Sequence, residues 1–244
     1  HHGPSIRVLT VNQHYRNHNI RATVAALLAP GADLILIQEL SPAMAALLKD
    51  LSWLYPYQRL FPANNPYGMG LLSRYPVQDA HILTAIGSME ANLLCGETQL
   101  TVLNVHLRAP RFGHRPMHTM TPLAFLWRMH RYDTRLRDWQ LAQILRQIDA
   151  IDGPLIVAGD WNLVEYERWY RLLAERLCDV YRATARGFGH TFPNTGRYGG
   201  AGALLRLDAI WVRAPLQPRK ARVLYRTGGS DHGMVCADIG ISSR

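Results

Sequence analysis

Hydrophobic residues occur in short segments along the chain, and their spacing in the first fifty residues predicts alternating strands and helices. A strand is predicted over Arg7–Val11 and a helix over Ile20–Leu28, where apolar residues recur at helical spacing until Pro30-Gly31. A buried strand over Leu34–Ile37 and a helix over Pro42–Leu51, with proline in its first turn, come next. This opening is typical of an α/β protein.

The middle and the end of the chain carry a different pattern. Short apolar segments bounded by Pro or Gly predict antiparallel hairpins over Met69–Ser73, Gln78–Leu83, Ala91–Cys95 and Leu100–Leu107. Later segments predict helices over Asp133–Ile148 and Tyr166–Ala174, and strands over Leu155–Ala158, Leu207–Val212, Ala221–Tyr225 and Val235–Ile239. Without a repeat or linker between them, we expect one domain over residues 6–241. Residues 1–5 have the sequence of a purification-tag remnant, so a native N-terminal anchor or signal could precede them.

Composition narrows the class of protein. The 244 residues are 48% hydrophobic and 18% charged, with a mean hydropathy of −0.11, which excludes a disordered chain. The sequence lacks the run of about 18 apolar residues that a membrane-spanning helix needs. Three well-separated cysteines (Cys95, Cys178 and Cys236) rule out zinc ribbons and disulfide scaffolds, and we expect them in the core.

The charge of the chain points towards a phosphate-bearing partner. Lys and Arg number 27 against 18 Asp and Glu, for a net charge of +9, and only Lys49 and Lys220 are lysines. Arginine presents a rigid fork of donors that suits phosphate. Arginines cluster between Arg108 and Arg146, which predicts a basic rim beside a functional site. The alternatives are general solubility and, for Arg131, Arg135 and Arg137, the solvated face of a helix.

A long connection follows the strand that ends near residue 107. It carries Arg108 and Arg111, three histidines and the apolar run 123–127. Long irregular loops in compact domains are often binding loops or lids. The segment is therefore either a substrate-facing lid, with Arg108 and Arg111 as candidate substrate-binding residues, or a solvated insertion whose apolar run packs on the core.

Candidate chemistry lies where predicted strands run out into loops, the usual place for ligand sites in α/β sheets. The residues at these positions are Asn12, Glu39, His106, Asp160, Asn162, Asp231 and His232. Hydrolysis of a phosphoester needs a hard divalent cation, and carboxylate and amide oxygens such as those of Glu39, Asp231, Asp160 and Asn12 would hold one. His232, oriented by Asp208, would stabilise charge or shuttle a proton, and Asn162 and His106 would donate to phosphoryl oxygens.

The order of these motifs resembles the endonuclease/exonuclease/phosphatase superfamily, which is DNase I-like. The resemblance spans Arg7 to Ile239 and rests on Thr10-Val11-Asn12, Ile37-Gln38-Glu39, Gly70-Leu71-Leu72-Ser73-Arg74-Tyr75-Pro76, Asn104-Val105-His106-Leu107, Gly159-Asp160-Trp161-Asn162, Leu207-Asp208-Ala209-Ile210 and Ser230-Asp231-His232. It implies a four-layer α/β/β/α sandwich of two mixed sheets flanked by helices. It also implies hydrolysis of a phosphoester by in-line attack of water, with Mg²⁺, or alternatively Mn²⁺, as one or two ions.

The resemblance further implies a role for each residue. Glu39 looks like the main metal ligand, with Asn12 beside it and Asp231 as a further ligand. Asp160 is similar to the residue that orients or deprotonates water, and Asn162 to the one that grips the phosphate. His232 resembles the catalytic imidazole, Asp208 its orienting partner and His106 a second imidazole near the scissile phosphate; which imidazole is the general acid stays open.

Departures from the superfamily pattern narrow the subfamily. AP endonucleases usually carry an acid where this chain has His14, and they lack the strand-end His106, so the chain is more similar to DNase I, sphingomyelinases and uncharacterised bacterial members.

We expect a monomeric phosphodiesterase that cleaves nucleic acid, in the cytoplasm or the bacterial cell envelope. The alternatives are a lipid phosphodiesterase, with the 111–129 loop on the membrane surface, or a small-molecule phosphatase. A non-catalytic binding module is disfavoured because every expected catalytic position is filled.

Overall fold

Two six-stranded mixed β-sheets form the centre of the computed structural model, which describes residues 5–110, 133–194 and 202–241. The strands of these residues are β1 (Ser5–Asn12), β2 (Leu34–Gln38), β3 (Tyr57–Phe61), β4 (Met69–Ser73), β5 (Val77–Leu83), β6 (Ser88–Cys95), β7 (Thr98–His106), β8 (Leu155–Asp160), β9 (Cys178–Asp179), β10 (Asp208–Val212), β11 (Gln217–Leu224) and β12 (Met234–Gly240). Their helices are α1 (Ile20–Leu28), α2 (Pro42–Lys49), α3 (Arg135–Ala150), α4 (Arg168–Ala174) and α5 (Val180–Thr184), with a 3-10 turn at Thr84–Ile86.

The strand order places the ends of the central strands of each sheet side by side. The first sheet runs β11-β12-β1-β2-β4-β3 and the second runs β5-β6-β7-β8-β10-β9. β1 is parallel to β2, and β7 is parallel to β8 with His106 opposite Asp160. β10 is antiparallel to β8, so its first residue, Asp208, also lies opposite Asp160. The end of β7, the end of β8 and the start of β10 are therefore neighbours.

Hydrophobic clusters fill the spaces between four layers. One cluster lies between the sheets and joins residues such as Val8 and Leu36 of the first sheet to Val102 and Ile156 of the second. A second cluster packs α1 and α2 on the outer face of the first sheet, and a third packs α3 and α4 on the outer face of the second sheet. This arrangement confirms the predicted α/β/β/α sandwich.

A buried polar bridge joins the two sheets close to the edge where β2 and β7 end. Gln38 Nε2 donates to Thr10 Oγ1 at 3.0 Å and to Asn104 Oδ1 at 2.6 Å. Asn104 Nδ2 in turn donates to the carbonyl oxygens of Ile37 and Gly70 at 2.9 and 3.1 Å. Buried hydrogen bonds of this kind favour one separation and register of packed elements. The two halves of the strand-end site are thereby held in one relative position.

Most predicted strands and helices are present with shifts at their ends, and two strands and one α-helix were not predicted. α2 begins where Pro42 predicted it, with Ser41 capping its first turn, but ends at Lys49 rather than Leu51. β3 is half-buried at every position, so it shows no alternation to detect. β9 and α5 are two and five residues long, too short for a periodic signal.

Other expectations from composition are met only in part. Cys95 and Cys236 are buried as expected, whereas Cys178 is exposed because it begins the short edge strand β9. None of the helices in the described part of the chain is long and apolar enough to span a membrane.

Candidate active site

Six polar side chains meet at the edge where strands of both sheets end. Asn12 and Glu39 come from the ends of β1 and β2, and His106 and Asp160 from the ends of β7 and β8. Asp208 opens β10, and His232 precedes β12. Gly159 allows β7 and β8 to approach, because a Cβ there would lie 1.8 Å from the carbonyl oxygen of Val105. The strand ends thus bring together residues as far apart in the sequence as Asn12 and His232.

Asp160 is the centre of this group. Its Oδ2 atom accepts hydrogen bonds from Asn12 Nδ2 at 3.1 Å and from Asn162 Nδ2 at 3.3 Å. The Nε2 atoms of His106 and His232 face the same oxygen at 3.7 and 3.8 Å. Burial raises the pKa of Asp160; the positive charges of the two histidines oppose the rise, and the negative charge of Asp208 adds to it.

Glu39 faces the same space from the first sheet. Its Oε1 accepts from Asn12 Nδ2 at 3.0 Å and lies 3.7 Å from His106 Nε2, while its Oε2 accepts from the backbone N–H of Tyr15 at 3.0 Å. Glu39 has a φ of 56°, a left-handed conformation that is rare for a non-glycine residue. Such conformations are concentrated at functional sites, where the surroundings hold them in place.

The two histidines are held by different groups. His106 Nδ1 lies 3.0 Å from the carbonyl oxygen of Pro66, which accepts only, so Nδ1 carries a proton and Nε2 is directed at the carboxylates. His232 Nδ1 lies 2.9 Å from Oδ2 of the fully buried Asp208. Burial lowers the pKa of His232, but the charges of Asp208 and Asp160 outweigh it and raise the pKa to about 10.

The described residues provide no Arg or Lys ion pair for Glu39, Asp160 or Asp208, although the chain carries a net charge of +9. The Oδ1 atom of Asp208 is also buried without a hydrogen-bond partner. The three carboxylates outnumber the two imidazoles that face them; buried carboxylates in excess are costly, and a bound cation is a common solution. The site is therefore suited to a divalent metal ion.

Two groups of atoms at this site could hold such an ion. Ligand atoms of Asp160, Asp208 and His232 lie within 4.8 Å of one another. His232 Nδ1 and Asp208 Oδ2 are already bonded to each other, however, so this trio is better explained as an imidazole with its orienting carboxylate. The oxygens of Glu39 and Asn12 form the harder ligand set, which is the kind that Mg²⁺ prefers.

Asn162 lies beside Asp160 in a left-handed conformation, with a φ of 45°. Its backbone N–H donates to Asp160 Oδ1 at 3.0 Å, and its Nδ2 donates to the carbonyl oxygen of Leu107 at 2.9 Å. Arg137 Nη1 donates to the carbonyl oxygen of Asn162 at 2.6 Å. Arg137 is 3% exposed, so it is neither part of a basic rim nor on a solvated helix face, because its charge is paired inside with Glu167.

The remaining predicted site residues lie at the margin. The side chain of Asp231 is 48% exposed, and its Oδ1 atom lies 3.9 Å from His14 Nδ1. The guanidinium carbon of Arg108 stacks 4.3 Å from the ring centre of Tyr67. Arg135 is solvent-exposed and pairs with Asp133. Arg111, Arg131 and the 111–129 loop lie outside the described residues.

The structure adds positioning residues that the sequence did not indicate. Ser230 Oγ donates to the carbonyl oxygen of Asn12 and accepts from the N–H of His232, which ties the last loop to β1. Asn194 Nδ2 donates to several carbonyl oxygens of the 225–232 loop, and Thr191 Oγ1 accepts from the N–H of Asp208. A Ser directly before the Asp231-His232 pair was a usable signal; Thr191 and Asn194 had none.

The two packed sheets and the strand-end residues define a DNase I-like fold. The family model for the Endonuclease/Exonuclease/phosphatase family matches residues 9–232. The chain therefore belongs to the Endonuclease/Exonuclease/phosphatase family. Members of this family hydrolyse phosphoester bonds and generally depend on a divalent metal ion, and the chain is a phosphoester hydrolase. No curated protein matches the sequence significantly.

Solved structures with the same fold cover nearly the whole chain. D. rerio TDP2 in complex with a single-strand DNA product has a TM-score of 0.72 and 16% identity, covering 97% of this chain and 99% of that one. The Bacteroides vulgatus endonuclease/exonuclease/phosphatase has a TM-score of 0.70 and 16% identity, covering 98% and 100%. The human Nocturnin catalytic domain with bound sulfate has a TM-score of 0.70 and 21% identity, covering 98% and 96%. These likenesses establish the fold.

Proposed function

We propose that this hydrolase is a metal-dependent phosphodiesterase that cleaves nucleic acid by in-line attack of water at the strand-end site. The observation that carries the proposal is the cluster of Glu39, Asp160 and Asp208 around two imidazoles, without Arg or Lys pairing in the described residues. A cluster of this charge needs a cation, and the reaction needs a group that neutralises charge on a phosphate.

Mg²⁺ is the ion we propose for this site, with Mn²⁺ as an alternative. Glu39 and Asn12, whose side chains lie 3.0 Å apart, would hold it, and Asp231 would add a ligand at the rim. When bound, the ion supplies Lewis-acid stabilisation of the phosphoryl oxygens. The side chain of Asn12 would rotate to offer its oxygen, which now accepts from the N–H of His14.

Asp160 and His232 would handle the charge and the proton of the reaction. We assign Asp160 to the attacking water, because its Oδ2 is the point where four side-chain nitrogens converge. As the water oxygen bonds to phosphorus, its proton passes to this carboxylate and the bond to the leaving oxygen breaks. His232, oriented by Asp208, presents Nε2 to the charge that develops on the phosphoryl group.

Asn162 and His106 would bind the phosphoryl oxygens. The amide hydrogens of Asn162 are directed at Leu107 O and Asp160 Oδ2, and the second of these contacts is long at 3.3 Å. A bound phosphoryl oxygen would replace Asp160 Oδ2 as the acceptor of the longer hydrogen bond, and the hydrogen bond to Leu107 O would remain. His106 in its doubly protonated form would donate through Nε2, since Nδ1 is already committed to the carbonyl oxygen of Pro66.

Nucleic acid is the favoured substrate for two reasons. The net charge of +9 favours a polymer of phosphates, whose neutralisation releases counterions and makes binding dependent on salt. D. rerio TDP2, which shares the fold, is described in complex with a single-strand DNA product. Arg108 beside Tyr67 offers a cation and an aromatic ring near the end of β7, and we propose Arg108 and Arg111 as contacts to the substrate.

A panel of substrates tests this proposal. Single-stranded DNA, plasmid DNA, RNA, sphingomyelin vesicles, inositol phosphates and bis(4-nitrophenyl) phosphate would be offered with Mg²⁺, with Mn²⁺ and with a chelator. We expect metal-stimulated cleavage of nucleic acid that weakens as salt rises. Turnover of a lipid or a phosphomonoester without any cleavage of nucleic acid would overturn the substrate assignment and leave the metal-dependent chemistry intact.

A further inference from the structure

Arg137 places a buried cation next to the active site without touching the catalytic carboxylates. It lies in the first turn of α3 and is 3% exposed. Nη1 donates to the carbonyl oxygen of Asn162 at 2.6 Å and to Glu167 Oε1 at 3.1 Å, and Nη2 is paired with Glu167 Oε2. Nη2 also lies 3.5 Å from Asp138 Oδ1, so the guanidinium contacts two carboxylates and one backbone carbonyl. That carbonyl belongs to a predicted substrate-binding residue.

The backbone of Asn162 is held from two sides. Its φ of 45° lies in the left-handed region, which asparagine enters more readily than other non-glycine residues. On one side the N–H is bonded to Asp160 Oδ1, and on the other the carbonyl is bonded to Arg137. Glu167 holds both Arg137 and the chain after Asn162, because its Oε1 accepts from Arg137 Nη1 and also from the N–H of Val164 at 3.1 Å.

We propose that Arg137 is a positioning residue for phosphoester hydrolysis, acting through the carbonyl of Asn162, with Glu167 as the group that positions Arg137. The inference rests on the proposed role of Asn162 in binding the phosphoryl group. Loss of the Arg137 contact lets the 162–167 loop relax and moves the amide of Asn162 away from the substrate. A displacement of about 1 Å at such a residue costs roughly 100-fold in rate.

A purely structural role is the competing explanation, and the chain offers a matched control for it. Arg213 follows the end of β10 that is remote from Asp208. It donates through Nη2 to the carbonyl oxygen of Ile148 at 2.6 Å and through Nη1 to that of Ile151, at the C-terminal end of α3. Arg213 and Arg137 thus make the same kind of bond at opposite ends of one helix, and only Arg137 reaches the site.

The first experiment compares these arginines in the full chain with bis(4-nitrophenyl) phosphate and Mn²⁺. We expect Arg137→Met to lower kcat by roughly 10- to 100-fold while KM changes by less than about threefold. Arg137→Lys should recover part of the loss, since lysine supplies the charge without the fork. Arg213→Met should lower the midpoint of thermal unfolding and leave kcat unchanged. Equal kcat losses in Arg137→Met and Arg213→Met would overturn the proposal.

A double-mutant cycle separates this inference from the function on which it rests. If Arg137 acts through Asn162, Arg137→Met adds no loss of kcat in an Asn162→Ala background, whereas independent effects multiply. Multiplying effects would overturn the role of Arg137 alone. No turnover by the unmodified chain, or an Asn162→Ala variant with full kcat, would overturn the proposed function instead. If Arg137→Met does not fold, Glu167→Gln is the second variant, because it weakens the paired contacts between Arg137 and residue 167 while keeping the shape of the side chain. It should lower kcat by a smaller factor and should likewise add no loss in the Asn162→Ala background.

Discussion

Two regions at the ends of β8, β9 and β10 bury carboxylates, and they balance that charge in opposite ways. In the first region Asp160 and Asp208 lie against His106 and His232. In the second, which we call the Arg206 cluster, Arg206 lies between Asp179 and Glu165, with Nη2 2.5 Å from Asp179 Oδ2. Its side chain is 5% exposed, as is that of Asp179. Asp179 is nearly as hidden from water as Asp160 and Asp208, whereas Glu165 is 30% exposed, so the clearest difference between the buried carboxylates is the charge of their partners.

The comparison indicates which buried charges serve the fold and which serve the reaction. In the Arg206 cluster the carboxylate of Asp179 is paired with a buried guanidinium and also accepts from Tyr170 at 2.8 Å, while its Oδ1 atom caps α5. Only Nη1 of Arg206 is buried without a hydrogen-bond partner among the described residues of this cluster. Among the described residues the strand-end carboxylates face imidazoles and no guanidinium, and they raise each other's cost of ionisation. Three carboxylates around two imidazoles in an arginine-rich chain are suited to receive a cation from solution.

The largest effect is expected from a neutral replacement at the centre of the site. Asp160→Asn should lower kcat by roughly 10²- to 10⁴-fold, the range for loss of a general acid or base. Because burial raises the pKa of Asp160, its ionised form opposes folding at neutral pH, so the neutral amide should leave the free energy of unfolding of the metal-free protein equal or higher. Urea unfolding with a chelator and steady-state kinetics measure the two quantities.

The same substitution in the Arg206 cluster should have the opposite effect. Asp179→Asn leaves the buried guanidinium of Arg206 without its nearest counter-charge, and breaking a buried pair in this way costs about 3–5 kcal/mol. Below the unfolding transition, kcat should stay within about threefold of the unmodified value, since Asp179 touches no site residue. If Asp160→Asn proves the more destabilising of the two, the contrast between the regions is wrong.

Metal binding should distinguish the regions through stability without any measurement of turnover. At Mg²⁺ concentrations about 100 times its dissociation constant, the free energy of unfolding should rise by about 2.7 kcal/mol. Glu39→Gln should abolish this gain, whereas Glu165→Gln, the matched change in the Arg206 cluster, should retain it. Thermal unfolding with and without chelator is the measurement, and a gain lost equally in both variants would count against the metal site.

The strand-end residues could be predicted because their signal is local. Asn12, Glu39, His106 and Asp160 each end a buried apolar run, and parallel strands bring such ends to one edge. The pairing of Asp208 with His232, 24 positions apart, was predicted from the chemistry of an imidazole held by a carboxylate and from the family resemblance, because no spacing rule joins the two positions.

Arg137 shows where sequence reasoning fails. It stands two residues after Arg135 in the same arginine-rich segment, yet Arg135 is exposed and Arg137 is buried. Arg137 lies on the buried face of α3, four and seven positions before Leu141 and Ile144, so helical spacing was a usable signal for its burial. The identity of its counter-charge, Glu167, lies 30 positions later and could not be read from spacing, because a tertiary partner leaves no periodic signal.

The smallest effect is expected at a third kind of charge pair, one that faces solvent. Arg7 on β1 and Asp238 on β12 pair at 2.6 Å across neighbouring strands, with side chains 38% and 24% exposed. The hydrogen bond from Arg7 holds the pKa of Asp238 below its ordinary value, despite an opposing contribution from burial. Folding therefore gains stability above the unfolded pKa of aspartate, about 4, and loses it as the pH falls through the lower folded value.

The ion pair of Arg7 and Asp238 should contribute no more than about 1 kcal/mol to the free energy of unfolding, because water and salt screen an exposed pair. Asp238→Asn should lower the free energy of unfolding by that amount at pH 7 and by progressively less as the pH falls towards 2. At pH 7, 1 M NaCl should shrink the difference further, while the loss in Asp179→Asn should persist because its pair is buried. Urea unfolding of both variants across pH and salt tests this, and a salt-resistant loss at Asp238 would show that exposure does not determine what these ion pairs contribute.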